Sequence, residues 1–186
     1  MTVATVPDRQ PVLAIRETAA WRIGVALIRV HIGATWLWYA WPKFARSERY
    51  LPPSGYMVSF AETSARYATG ATRAVLGHVI LPHAAVWAEL ARFGELTAGL
   101  LLVLGLRSRL GGAIGLAVAL SYAPFNYAFH EYHSGLLTLP DSMMAALSAV
   151  HILIPSGRAF GLDAILSRHH AAAEPTPRLA NDGAAP

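Results

Sequence analysis

The chain has 186 residues, of which 54% are hydrophobic and only 14% charged, against roughly 25% charged in ordinary soluble domains. A soluble fold this poor in charge could not cover its surface, so lipid is the more natural solvent. The formal charge of +4 does not point to nucleic acid, because the basic residues are scattered between apolar runs and suit anionic lipid headgroups. There is no cysteine, which removes disulfides, thiolate nucleophiles and iron–sulfur ligation. Any redox chemistry must then come from a cofactor, a quinone or a partner.

Residues 1–20 carry Asp8, Arg9, Arg16 and Glu17 and hold no uninterrupted apolar core, unlike a cleavable signal peptide. They are read as a cytoplasmic N-terminal segment, with the first apolar run retained as an anchor. A helix crossing the hydrocarbon core needs about 20 mostly apolar residues. Four segments qualify: Ile23 to Phe44, Ala84 to Leu106, Leu110 to Phe129, and Leu136 to Pro155. The fourth is the least apolar, with Asp141, His151, Thr138, Ser142 and Ser148 inside it. The predicted fold is all-α: an integral membrane, antiparallel four-transmembrane-helix bundle over residues 21–166, followed by a disordered tail over 167–186. Pro124 should bend the third helix.

The tight Arg107–Ser108–Arg109 connection makes the second and third helices antiparallel neighbours and places that turn in the cytoplasm. Both termini are then cytoplasmic as well. The long first loop, Ala45 to His83, reads as one or two short amphipathic helices that lie at the outer interface or cap the bundle. Tyr50, Tyr56, Tyr67 and the Trp36, Trp38, Tyr39 and Trp41 cluster fit an interfacial aromatic belt. Gly33, Gly94, Gly99, Gly111, Gly112 and Gly115 supply small faces for close helix contact.

Ionisable groups inside a span usually face the bundle interior or a cavity. Here they are Arg29, His31, Glu89, Arg92, Glu95, Asp141 and His151. Glu89, Arg92 and Glu95 share one helix face; Arg92 can pair with either carboxylate, leaving one over. Arg29 stands roughly 10 Å from the cytoplasmic end of its helix, and Glu95 roughly 16 Å from that end of its own. An Arg29–Glu95 ion pair is therefore expected, either fixing helix register or bordering a site for a polar headgroup or a proton path. Tyr122, Asn126, Phe129, His130 and His133 recur at helical spacing, as do Asp141, Met144, Ser148 and His151. Two such stripes can line a pocket for a quinone, or be ordinary polar packing. His78, His83, His130, Glu131 and His133 fall on the outer side. Their spacing matches no ligand motif, so they are read as solvated loop residues, and no metal or haem is predicted.

The stretch RVHIGATWLWYAWPKF resembles the opening helix of the DoxX/DoxD proteins. GELTAGLLLVLGLRSRLGG is similar to the family's most diagnostic segment, and GRAFGLDAIL to its closing one. The resemblance covers about Ile23 to Leu166, and the long first loop is closer to the DoxD-like branch. It implies the large membrane subunit of a thiosulfate:quinone oxidoreductase, in a bacterial or archaeal plasma membrane. Arg29, Lys43 and Glu95 occupy the matching motif positions. The reading that follows is a membrane subunit of a quinone-linked oxidoreductase assembly. Arg29, Glu95, Asp141 and His151 carry the chemistry, Trp36, Tyr122, Asn126 and His130 hold the quinone, and a redox partner subunit supplies electrons. Homo-oligomerisation stays open, as does catalysis by the chain alone. The alternative is a non-catalytic scaffold or anchor for soluble redox partners. A small transporter or proton channel ranks lower, for want of internal repeats.

Overall fold

The computed structural model describes residues 18–53, 55–125 and 139–173. Every regular element among them is helical. Helix α1 (Ala19–Ala45) starts where the Thr18 hydroxyl accepts a hydrogen bond from the Trp21 N–H at 3.2 Å, satisfying one of the orphan donors of the first turn. Pro42 sits in its last turn, and the Arg46 N–H closes the helix on the Pro42 carbonyl at 3.1 Å. Short helices α2 (Ser47–Tyr50), α3 (Tyr56–Tyr67) and α4 (Gly70–Val75) follow. The chain then widens into a π turn at Leu76–Ile80 and tightens into a 3-10 turn at Leu81–His83. Pro82 has no N–H to give the preceding turn, so a register irregularity belongs here.

Helix α5 (Ala84–Leu104) ends in a Schellman motif. Gly105 takes the left-handed conformation at φ 63°, its N–H reaching the Leu102 carbonyl at 3.1 Å and that of Leu106 the Leu101 carbonyl at 3.0 Å. Glycine bears this conformation without a Cβ penalty. Helix α6 (Ser108–Ser121) begins after three residues, a connection as tight as the short basic turn predicted. Helix α7 (Leu139–Leu153), a 3-10 turn (Ser156–Arg158) and helix α8 (Leu162–Ala173) complete the described chain.

The four longest helices pack in chain order: α1 on α5, α5 on α6, α6 on α7, with α7 touching α1 to close the circle. Ile32, Trp36, Ala98, Leu102, Val118, Ala119 and Met144 form the core. The first loop folds over one end as a lid. There Tyr50, Met57, Ala61, Leu76, Ile80 and Phe125 make a second apolar cluster, with Phe60 stacked between Tyr56 and Phe125 at centroid distances of 5.4 and 5.2 Å. Amphipathic helices in this loop were expected. Here they cover the bundle end, and Tyr50, read from sequence as interfacial, is buried.

Two helical stretches, Ala19–Ala45 and Gly70–Leu104, are long and apolar enough to cross a bilayer. The third and fourth expected spans are shorter as described. α6 stops at Ser121 and Tyr122 forms a turn before helical geometry resumes at 123–125. Pro124 thus breaks the helix rather than merely bending it, because proline supplies no N–H and crowds the residue before it. Residues 167–173, assigned to a disordered tail, continue α8. The outer faces stay apolar: Trp38, Trp41, Leu27, Leu90 and Leu153 are among the exposed side chains, Trp38 at 78% and Leu153 at 77%. Helices apolar on the outside as well as the inside are what a lipid solvent requires.

The α1–α5 crossing is backbone-close. A Cβ added at Gly33 would lie 2.8 Å from the Val103 nitrogen and 3.0 Å from the Gly99 carbonyl oxygen. One added at Gly99 would lie 2.9 Å from the Gly33 oxygen. Replacing Gly33 by leucine should therefore push α1 off α5 and cost about 1–3 kcal/mol of stability, the usual scale of overpacking. Thermal unfolding of the purified protein in detergent measures this, and the control Gly24→Leu, where a Cβ meets nothing within 4 Å, should be near neutral.

Candidate functional site

Glu95 is one of the most enclosed side chains of the protein, at 1% exposure. Its partner is Lys43, from the last turn of α1, whose ammonium contacts Glu95 Oε1. The Tyr122 hydroxyl donates to the same oxygen at 2.8 Å and accepts from Lys43 Nζ at 2.7 Å. Three elements thus close a triangle: α1 brings the cation, α5 the carboxylate, and the break after α6 the phenol. The Lys43 ammonium also sits 5.3 Å from the Tyr50 ring centroid, so an aromatic ring stabilises the charge alongside the carboxylate; it meets Tyr122 at the hydroxyl edge. Burial, reinforced by the Glu95 carboxylate, pushes the Tyr50 phenol above the ordinary tyrosine range. Tyr50 therefore stays protonated and available as a donor.

The predicted Arg29–Glu95 pair does not form. Arg29 Nη1 donates instead to the Ser156 carbonyl at 2.6 Å and the Ala159 carbonyl at 3.0 Å. Register is the reason. With Gly33 set against Gly99 and Val103, the antiparallel helices bring Arg29 level with Gly105 and Lys43 level with the Glu95 region. Arg29 and Lys43 lie fourteen residues apart on α1, roughly 21 Å, so the two polar groups occupy opposite ends of the bundle. Arg29 is a structural clamp: a Cβ at Gly105 would lie 2.7 Å from its guanidinium and one at Gly161 2.8 Å. The glycine turns are what admit it.

Trp36, assigned to the aromatic belt and to ring binding, is buried in the core. Its indole N–H donates to Ser148 Oγ at 3.3 Å. His151 is buried on α7 near Arg29 and Gly112, away from Glu95, and neither ring nitrogen has a hydrogen-bond partner among the described residues. Of the two ring-binding candidates among the described residues, Tyr122 joins Glu95 and Trp36 does not. Asn126 and His130 lie outside the described residues, as do Phe129, Glu131 and His133. Of Asp141 only the backbone position within α7 is described. Among the described residues no three His, Asp or Glu side chains come together as a metal-binding group. Arg92 pairs with Glu89 at 2.5 and 2.7 Å and lies over Phe44 and Phe93, so the carboxylate left over on that helix face is indeed Glu95.

The residues that sequence reasoning passed over are Lys43 and Tyr50. Lys43 was matched to the family motif but given no role. Its signal was its place at the end of an apolar, tryptophan-rich helix, where an unpaired ammonium is costly. Beside the triangle, an apolar groove of about 490 Å³ opens outward between α5 and α6, lined by Trp87, Leu90, Phe93, Gly94, Ile114 and Val118. Gly94 precedes Glu95, and Val118 lies one turn before Tyr122.

A family model described as "TQO small subunit DoxD" matches residues 25–178. That description names the small subunit, which corrects the large-subunit expectation. No curated protein and no solved structure matches the chain.

Removing either member of the Lys43–Glu95 pair strands a buried charge, at a usual cost of about 3–5 kcal/mol. Lys43→Met and Glu95→Leu should each destabilise on that scale, while the double variant should recover much of the loss. A double-mutant cycle of thermal unfolding in detergent gives the coupling. Two independent, additive losses would show that the residues do not form a unit.

Proposed function

The chain belongs to the DoxD family, and from that premise we propose that it is a membrane subunit of a quinone-linked oxidoreductase assembly of the thiosulfate:quinone type. On this reading it spans the plasma membrane four times with both termini cytoplasmic. The Lys43–Glu95–Tyr122 triangle forms the headgroup end of a quinone site. The supporting observation is the triangle itself: a charged, hydrogen-bonded cluster in an apolar bundle, roofed by an aromatic lid.

The donor set fits such a ligand. A quinone, when bound, supplies a two-electron, two-proton acceptor whose ring ends in carbonyl oxygens. The Lys43 side chain is 17% exposed against 2% for Glu95, so approach is from the Lys43 side, with the carboxylate behind it. An ammonium has three donors, and Lys43 already directs two of them to Glu95 and Tyr122, so a carbonyl-type oxygen would compete with the Tyr122 hydroxyl for Lys43 while the bond to Glu95 is kept. Tyr50 offers a further donor, and Tyr122, whose hydroxyl proton is already donated to Glu95, offers ring surface. Glu95 is placed to hold a proton or pass one through the Tyr122 hydroxyl. The groove between α5 and α6 would take the prenyl tail. With no cysteine in the chain, the electron donor resides on a partner subunit.

The test uses the purified full chain in detergent with a short-chain quinone, decylubiquinone, read by thermal unfolding. The wild type should be stabilised in a saturable way. Glu95→Gln and Lys43→Gln should keep their helical circular dichroism and lose most of that stabilisation. A wild type indifferent to quinone would end the quinone reading and favour the scaffold alternative.

A further inference from the structure

The opposite end of the bundle carries a basic cavity that the triangle leaves unused. It holds about 500 Å³ and is lined by Arg107, Ser108, Arg109, Leu110, Arg158 and Asp163, among others. That volume lies in the usual range for small-ligand sites. The arginines come from two separate segments, the α5–α6 turn and the 3-10 turn after α7.

These segments are fastened to each other by hydrogen bonds. Asp163 Oδ1 accepts the Arg107 N–H at 2.8 Å and Oδ2 the Ser108 N–H at 3.3 Å. The Asp163 N–H returns to the Gly105 carbonyl at 3.0 Å. The Gly157 N–H reaches Ser108 Oγ at 2.9 Å, and the Arg29 clamp holds the second turn from below. The cradle is therefore preorganised, which lowers the ordering cost of binding. Both oxygens of its one carboxylate are engaged by backbone N–H groups at the start of α6. Among the described residues no ion pair involves Arg107, Arg109 or Arg158, and all three are exposed. Three cations face a single carboxylate around this cavity, and that carboxylate is already engaged by backbone N–H groups; the excess positive charge calls for an anionic ligand, and the guanidinium fork matches phosphate oxygens.

The apolar surroundings decide which anion. α8 exposes Leu162, Ile165 and Leu166, spaced by three and one so that they share a face. Leu110, in the cavity wall, is 46% exposed, and Phe160, between the 3-10 turn and α8, 66%. An amphipathic helix beside a basic cradle is the arrangement of an interfacial membrane element. Free phosphate or an acidic soluble protein would use the arginines and leave these side chains in water, whereas a phospholipid uses both.

We propose that this cavity binds the headgroup of an anionic phospholipid. Its phosphate is held by Arg107, Arg109 and Arg158, and its acyl chains lie against Leu110 and the Leu162–Ile165–Leu166 face. This assignment does not rest on the quinone reading.

The experiment is native mass spectrometry of the full chain released from detergent containing equal amounts of phosphatidylglycerol and phosphatidylcholine. The wild type should retain phosphatidylglycerol preferentially. The Arg107→Gln/Arg109→Gln/Arg158→Gln variant should lose about fivefold of that preference per arginine, the usual worth of one basic side chain near an anionic leaflet. Arg46→Gln/Arg49→Gln, in the first loop, should leave it unchanged. Equal retention by the triple variant and the wild type would overturn the proposal, as would an equal loss in the first-loop variant. Should the triple variant fail to fold, Arg158→Lys and Arg158→Glu decide. The first should keep the preference and the second lose it, and identical behaviour overturns the site. Inorganic phosphate is added in a second arm. Failure to displace the lipid supports the assignment, and full displacement at millimolar concentration would reassign the site to free phosphate.

Discussion

The close approach of Gly33 to Gly99 and Val103 is the contact on which the rest of the arrangement depends. Two helices without side chains at their crossing settle backbone against backbone, and they have little freedom to slide. That contact sets the α1–α5 register within a residue or so. Everything polar in the interior then follows from it. Lys43 arrives beside Glu95, and Arg29 arrives beside the turn at Gly105. A shift of one helical turn would leave a cation and a carboxylate facing apolar surface, at a cost well beyond that of losing a packing contact.

The two polar groups this register creates differ in kind. Arg29 donates to two backbone carbonyls of a tight glycine-lined turn and ties α1 to the segment after α7. Its role is to hold the end of the bundle closed. The Lys43–Glu95–Tyr122 triangle ties three elements together as well, but its cation keeps a partly open side beneath the lid. A cluster that holds opposite charges, phenol donors and apolar ring faces in one place can bind a polar-headed aromatic molecule. A clamp that spends its guanidinium on carbonyls cannot.

The lid and the glycine turns explain how a small bundle supports both ends. The first loop spends its aromatic residues on each other and on Phe125, so the triangle is roofed without a separate domain. At the other end Asp163 caps α6 from a different segment, which lets the α5–α6 turn be only three residues long and still satisfy N–H groups at the start of α6. That same cap draws Arg107, Arg109 and Arg158 around one cavity, and a stabilising turn becomes a basic cradle.

Composition and periodicity alone determine that the chain is helical and lipid-compatible, where α1 and α5 run, that the first loop is amphipathic, and that Arg92 leaves one of the two carboxylates on its helix face over. These are local properties, set by hydropathy over about twenty residues or by spacing of three and four along one helix. The partner of Glu95 was not legible, because pairing across helices depends on register, and the height estimate from the helix ends was looser than one turn. The burial of Trp36 and Tyr50 was equally hidden. A tryptophan in a run of tryptophans carries no mark of which one faces the core, and a tyrosine after α1 reads as interfacial until the lid folds over it. Only the tertiary structure decided these points. A glycine contact between residues sixty-six positions apart is a fact about shape in three dimensions, and it chose Lys43 over Arg29.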